Sequence, residues 1–245
     1  MSESGDRDVD EVLEVLGAMH GGGVPDPGEG LRERKKRRVR QRISDVATAM
    51  FLVHGFDKVT VARIAAACEV SEQTVFNYFP TKESMVFDRS QSTVSAVADA
   101  VRERGDVPLT DAVVQAMAGE VRPGRAAGLD EDRQLRLSRM FGSLATGSPA
   151  LAAARRADFA RFTDELTVAL AKRAGADPAD PEVQLAALVI AGLTRVRQQS
   201  TYRHVQHATS IAALNDAVRR DILRAARLAE PALAAFDNPR DTAEN

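Results

Sequence analysis

Apolar residues along this chain recur with a helical period almost from end to end. Val39, Ile43, Val46, Ala47, Met50 and Phe51 fall at i, i+4, i+7, i+8, i+11 and i+12, which puts one stripe on a helix from about Arg32 to His54. Gly55 stops it, and two short amphipathic segments follow. Thr60 is placed to cap the first, which turns Val61, Ile64 and Ala65 inward; Ser71 is placed to cap the second, which turns Val75 and Phe79 inward. The four residues Ala67-Cys68-Glu69-Val70 between them leave room for a tight turn alone. Pro80 ends the second short helix, and Thr81 is set to cap another that runs to about Arg104, ahead of Gly105.

Breakers at Pro108, Pro123-Gly124, Gly128, Gly147-Ser148-Pro149, Gly175 to Pro181 and about His207–Ser210 divide the remainder into five further helices. Segments 148–174, 181–205 and 210–236 are long, Ala-rich and amphipathic, as helices that pack closely on one another are. No segment alternates as a strand does, so the expected fold is all-α with about nine helices. At the front, Gly and Pro crowd residues 21–30 and carboxylates crowd residues 3–14, which predicts a disordered acidic arm. Within it Val9, Val12, Leu13 and Leu16 keep helical spacing, so a short helix over 8–19 that docks on a partner or on the body is the competing expectation. The polar tail from Asp237 onward is expected to be loose.

Charge sharpens this division. The whole chain of 245 residues is nearly neutral, at −2. Yet residues 1–30 hold eight carboxylates against one arginine, whereas residues 31–89 hold twelve Lys/Arg against seven Asp/Glu. Eight of those twelve bases lie between Arg32 and Arg42. A basic block ahead of a neutral helical body is the layout of a DNA-binding head on a larger partner domain, the plainer alternative being a solvated basic helix face. Aromatic residues make up 4% and Trp is absent, so the core must be built from Ala, Leu and Val. No run reaches the ~18 apolar residues of a membrane span and the N-terminus is acidic, so a cytoplasmic protein is expected. With Cys68 as its single cysteine the chain has no Cys-rich zinc spacing. The pattern implies no metal and no cofactor.

A short helix, a tight turn and a second short helix braced by a longer first one form the helix-turn-helix arrangement, which sets one helix in the major groove of DNA. The run from Thr60 through Val70-Ser71-Glu72-Gln73-Thr74-Val75-Phe76-Asn77-Tyr78-Phe79-Pro80-Thr81-Lys82-Glu83 closely resembles the DNA-binding region of the tetracycline-repressor (TetR) family of bacterial transcriptional regulators. The likeness covers about sixty residues; beyond them the chain resembles that family only in being helical and of suitable length.

The resemblance implies that the helix from Ser71 to Phe79 is the recognition helix and that Gln73, Thr74 and Asn77 face the groove. Their chemistry agrees, since Gln pairs with adenine N6 and N7, Thr meets a thymine methyl or a phosphate, and Asn serves either role. Tyr78 and Lys82 stand where the family contacts phosphate, and Ser71 and Thr60 begin helices whose N–H groups suit a phosphate oxygen. Two departures stand out. Phe76 lies where the family often has Tyr, so one hydroxyl contact is missing. Arg63 lies three residues after the Thr60 cap, where Glu would suit the helix dipole; beside a DNA phosphate or base edge an Arg is the better residue, the alternative being a plainly exposed side chain. Arg34, Lys35, Lys36, Arg37 and Arg38 precede the first apolar stripe and are placed to run over phosphates or along the minor groove. The acidic arm directly ahead of them suggests a competitor for phosphate, in which case deleting residues 1–30 should tighten non-specific binding at low salt.

Other signals are weaker. His20-Gly21-Gly22-Gly23 looks like an esterase oxyanion segment but lacks a Gly-x-Ser-x-Gly elbow and a sheet. His204 and His207, three apart on a helix, have no third ligand nearby in sequence and read as surface or interface histidines. Cys68 reads as a small buried residue of the turn, with oxidation sensing as the alternative. Arg139, Arg155, Arg156, Arg195, Arg197 and Arg203 lie on long helices, as anion anchors or as surface ion-pair partners. Leu185, Leu188, Val189, Gly192, Leu193 and Val196 form a stripe that suits a four-helix dimer interface of the last two helices and equally suits packing within one subunit.

The expected organisation is therefore an acidic arm over 1–30, a helix-turn-helix DNA-binding domain over 31–80, a helical ligand-binding and dimerisation domain over 81–236 and a tail over 237–245. The function this implies is a homodimeric, ligand-responsive regulator, most often a repressor, which a small-molecule effector releases from a palindromic double-stranded DNA operator. An all-α enzyme and a protein-interaction adaptor are the alternatives from other classes. The enzyme lacks a paired-carboxylate or nucleophile–base constellation, and the adaptor has no need of the specific wording of residues 60–83.

Overall fold

The computed structural model describes residues 3–20, 30–88, 91–118 and 130–237, and leaves undescribed the side chains of 3–7, 18–20, 91 and 92. Among the described residues the fold is all-α: α1 (Glu3–His20), α2 (Leu31–His54), α3 (Val61–Ala67), α4 (Glu72–Tyr78), α5 (Lys82–Phe87), α6 (Gln91–Glu103), α7 (Leu109–Met117), α8 (Glu131–Gly147), α9 (Pro149–Ala174), α10 (Pro181–Val205) and α11 (Ile211–Leu233), closed by a 3-10 turn at Ala234–Phe236. Contacts divide the chain into two units, residues 1–89 with 122–154 and residues 90–121 with 155–245. The expected boundary at 80/81 takes no account of α8, which groups with the head because it packs on α1 and α2. The expected tail lies outside the described residues beyond Asp237.

In the first unit Ile43, Val46, Ala47, Met50 and Phe51 of α2 are buried together with Ile64 and Ala65 of α3, Val75 of α4 and Met85, Val86 and Phe87 of α5. Phe79, just past α4, and Leu151, at the start of α9, complete this core. The stripe on α2 thus faces inward as its spacing predicts. Two expectations need correction. The fourth helix of the head ends at Phe87, and a separate helix starts at Gln91, so one predicted helix is two. The acidic arm is not disordered over residues 3–20, which form α1. Val12, Val15 and Leu16 are buried against Ala49 of α2 and Leu137 of α8, with Val9, Leu13, Leu52 and Val53 around them. These five apolar positions of α1 line one face, and burial of that face outweighs the acidic composition that argued for solvation. Glu11 of α1 lies 3.5 Å from Arg133 of α8.

In the second unit α10 and α11 pair along their length. Val183, Ala186, Ala187, Ile190, Ala191 and Leu193 of α10 are buried, as are Leu214, Val218, Ile222, Ala226, Ala229 and Leu233 of α11. The alanines let the two backbones approach closely. Across this pair Asp221 accepts from Ser200 Oγ at 2.5 Å and Arg203 Nη2 at 2.6 Å, and its Oδ2 lies 2.8 Å from His204 Nε2. These hydrogen bonds, Ser200's first, hold the Asp221 carboxyl down at about 2. Other arginines of this unit have settled partners: Arg155 lies over the Tyr202 ring at 5.9 Å, Arg195 over Phe159 at 5.7 Å, and Arg197 Nε donates to the Met117 carbonyl at 3.0 Å. Arg104, whose side chain is almost fully buried, donates to the carbonyls of Val107 and Phe236 and lies 3.3 Å from Asp237. It thereby ties the start of α7 to the end of the 3-10 turn.

Candidate nucleic-acid interface

Three caps and one turn set the geometry of the head. Thr60 Oγ1 accepts from Arg63 N at 3.3 Å and begins α3. Ser71 Oγ accepts from Thr74 N at 3.1 Å and begins α4, with Thr74 Oγ1 a further 2.8 Å contact. Thr81 and Ser84 cap α5 reciprocally, each side-chain oxygen accepting from the other's backbone N–H. Between α3 and α4, Glu69 takes φ 57, Val70 N donates to Ala65 O at 3.0 Å and Glu69 N donates to Ala66 O at 3.1 Å. That double bond is a Schellman closure with Glu69 at its left-handed position, where Gly is the usual residue, and Val70 packs back on the core. Cys68 immediately before it is buried, and burial pushes its thiol up, against a smaller opposing pull from Arg42.

The sequence-predicted contact residues are distributed as follows. Gln73 and Asn77 are exposed on α4, one turn apart, and Gln73 Nε2 donates to Asn77 Oδ1 at 3.1 Å. That pairing presents the two amides as a single polar face and leaves the Gln73 carbonyl and the Asn77 amino group open. Thr74 is half-buried beside its cap, and Phe76 is exposed next to the amides. Thr60 and Ser71 are exposed at their helix starts, and Arg63 is half-buried on α3. On α2 Lys35, Lys36 and Arg38 are exposed and Arg34 is half-buried. Tyr78 is half-buried against the core at the end of α4.

Lys82 is more committed than the sequence suggests. Its Nζ donates to the carbonyls of Phe56 and Val59 at 3.0 and 3.1 Å and lies 4.1 Å from the centre of the Phe56 ring. Two of its three N–H bonds are spent inside the head, joining α5 to the loop after α2. Sequence reasoning also missed Arg40, which it had counted with the basic block. Its Nε and Nη2 converge on Asp88 Oδ1 at 3.1 and 2.6 Å, its Nη1 donates to the Tyr78 carbonyl at 2.8 Å, and its guanidinium lies 4.4 Å from the centre of the Phe79 ring. Only its place on the inward edge of α2, next to Val39 and three before Ile43, hinted at this.

A two-turn helix capped at Ser71, held by a tight turn against α3 and showing a polar amide face to solvent, is a helix-turn-helix module. Residues 43–88 match the family described as bacterial regulatory proteins, tetR family. This segment of the chain is therefore similar to the DNA-binding part of that family. The chain is also 34% identical over 121 residues to the HTH-type transcriptional regulator TcmR of Streptomyces glaucescens, a match covering 46% of this chain and 52% of that one. The chain thus spans about half the length of that curated relative. Among solved structures, a tetR-family transcriptional regulator from Streptomyces coelicolor is similar over 85% of this chain and 88% of its own, at 17% identity and a TM-score of 0.38.

Proposed function

We propose that the protein is a DNA-binding transcriptional regulator whose α4 reads base edges in the major groove while the basic N-terminal half of α2 neutralises phosphates. The observation that carries this reading is the exposed Gln73–Asn77 amide pair on the Ser71-capped helix, within the segment that matches the tetR family. An amide side chain offers a donor and an acceptor together, the combination that adenine N6 and N7 require. Thr74, Tyr78, Arg63, Thr60 and the third N–H of Lys82 supply register by way of phosphate, and Arg34, Lys35, Lys36 and Arg38 supply the salt-dependent term.

The homodimer belongs to the same proposal. Leu185 and Leu188 of α10 and Leu228 of α11 are large apolar side chains left exposed, at 56%, 49% and 86%. Such surface on the last two long helices suits burial against a second copy, which places two α4 helices on the half-sites of a palindromic operator. Release by a small molecule, and repression as its consequence, complete the proposed mechanism. The effector can act only as far as it binds the released state more tightly than the DNA-bound one.

The test is a gel-shift titration on the DNA flanking the protein's own gene across a salt series. Expected is a footprinted palindromic site, with Gln73→Ala weakening the operator about 10-fold and relaxing preference at one base position. A Lys35→Gln plus Lys36→Gln variant should weaken all sequences alike and flatten the salt dependence by about two phosphates. Equal affinity for operator and competitor DNA from a genome-wide fragment pool would overturn the proposal in favour of the adaptor reading.

A further inference from the structure

We infer that Arg40, although it lies in the basic block of α2, is a positioning residue for the recognition helix and not one of the phosphate contacts. The inference rests on the DNA-binding reading above and assigns a part within it. Three ties leave one guanidinium. Its Nε and Nη2 meet Asp88 Oδ1, its Nη1 meets the Tyr78 carbonyl, and its face covers the Phe79 ring. Each tie reaches a different part of the head: the close of α5, the last residue of α4 and the residue that caps α4.

The physical need is plain at the end of α4. This helix has seven residues, too few to be stable alone, and the orientation of its polar face depends on what grips its ends. Ser71 grips the start. At the other end Phe79 is extended, at φ −136 and ψ 100, and Pro80 follows without an N–H, so the Tyr78 carbonyl has no continuing turn to accept from. Arg40 supplies that missing donor, as a basic side chain at a helix C-terminus does. The Asp88 carboxylate, 15% exposed, holds the guanidinium in place while it does so. Asp88 is also the last described residue in the first of the two stretches of chain that build this unit, which ends at residue 89, so the clasp joins the end of the recognition helix to the end of that stretch.

The neighbouring bases behave differently. Lys35, Lys36 and Arg38 are exposed on the same helix, as phosphate contacts must be. Arg40 retains some exposure, at 42% of its side chain, so its proximity to DNA alone does not assign its role. The experiment therefore asks for the sign of an effect. Asp88→Asn removes the carboxylate that holds Arg40. If Arg40 is a phosphate contact, freeing it and deleting a negative charge should tighten DNA binding and steepen its salt dependence. If Arg40 positions α4, the same change should weaken specific binding.

We expect Asp88→Asn and Arg40→Lys each to lose roughly 5- to 20-fold in operator affinity, the order of one charged hydrogen bond. Affinity for competitor DNA should be nearly unchanged in both, and the salt slope should stay within about half a phosphate of the parent. Arg40→Lys keeps the charge but loses the fork and the stacked face, so it separates geometry from charge. Far-ultraviolet dichroism and thermal unfolding of both variants show whether the head remains folded, and the competitor affinity is an internal measure of the same thing. Tighter binding by Asp88→Asn, or parental operator affinity in Arg40→Lys, overturns the inference while leaving the DNA-binding reading standing. Failure of the parent protein to prefer any operator overturns the reading on which the inference rests.

Discussion

Leu16→Ala tests whether α1 is held on the head by burial. Leu16 is 3% exposed among Val12, Val15, Ala49 and Leu137. Truncating a buried Leu to Ala costs about 2–5 kcal/mol, and a site near the edge of a core falls near the lower end because its neighbours relax. A loss of about 2 kcal/mol raises the undocked population of α1 some 30-fold. Because Ala is a slightly better helix former than Leu, the intrinsic helix term runs the other way, and any loss must come from docking. Hydrogen exchange read by mass spectrometry on peptides covering residues 8–17 is the direct assay, since these amides exchange through undocking. Expected is an approximately 30-fold faster exchange there, with an exposed change on the same helix, Glu14→Ala, near the parental rate. Exchange of Leu16→Ala within twofold of the parent would refute the reasoning, because it would mean that the apolar face contributes nothing to holding the helix. The same docking bears on the arm as a competitor for phosphate. The apolar face of α1 lies on Ala49, Leu52, Val53 and Leu137, and its Glu11 meets Arg133, none of them in the Arg34–Arg38 run. Removing residues 1–30 is therefore expected to destabilise the head as well as to change charge.

Two further outcomes follow from particular contacts. Lys82→Met should lower the unfolding free energy of the protein by about 2 kcal/mol in urea titration, because the carbonyls of Phe56 and Val59 each lose a charged donor. Unchanged stability with a salt slope reduced by about one phosphate would instead make Lys82 a DNA contact alone. At Asp221 the folded carboxyl titrates at about 2 against an ordinary 3.8. A depressed folded value stabilises the fold above about pH 4 and loses that contribution as pH falls toward 2, an amount on the order of 2 kcal/mol. Asp221→Asn should therefore be less stable than the parent at pH 5, and the gap should narrow at pH 2.5; a gap that is constant with pH would refute the assignment.

Much of the head was legible from local signals. Thr60, Ser71 and Thr81 cap the helices their positions predicted, Gly55 stops α2 in a left-handed conformation at φ 84, and the stripe from Val39 to Phe51 faces the core. These features work over three or four residues, so a one-dimensional pattern records them in full. The same holds for α11, whose Ser210 cap and buried positions from Leu214 to Leu233 follow helical spacing. Where the reading of the sequence went astray, competing terms of different range were at work. Acidic composition argued for a solvated arm, and the burial of Val12, Val15 and Leu16 on a surface formed by α2 and α8, more than thirty and a hundred residues away, decided for a helix.

Local sequence accounts for the helical class, the caps at Thr60, Ser71 and Thr81, the stop at Gly55 and the identity of the amides on α4, because each depends on neighbours in the chain. Tertiary structure alone decided which basic residues are committed inside the head. Arg40 and Asp88 are 48 positions apart, and Lys82 is 26 and 23 positions from the carbonyls it holds. In the sequence only the helical position of Arg40 beside the apolar stripe sets it apart, and nothing local marks the partners of Lys82. A cation becomes a brace or a DNA contact according to what the folded chain brings within about 3 Å of it, and that proximity exists only once the helices have packed.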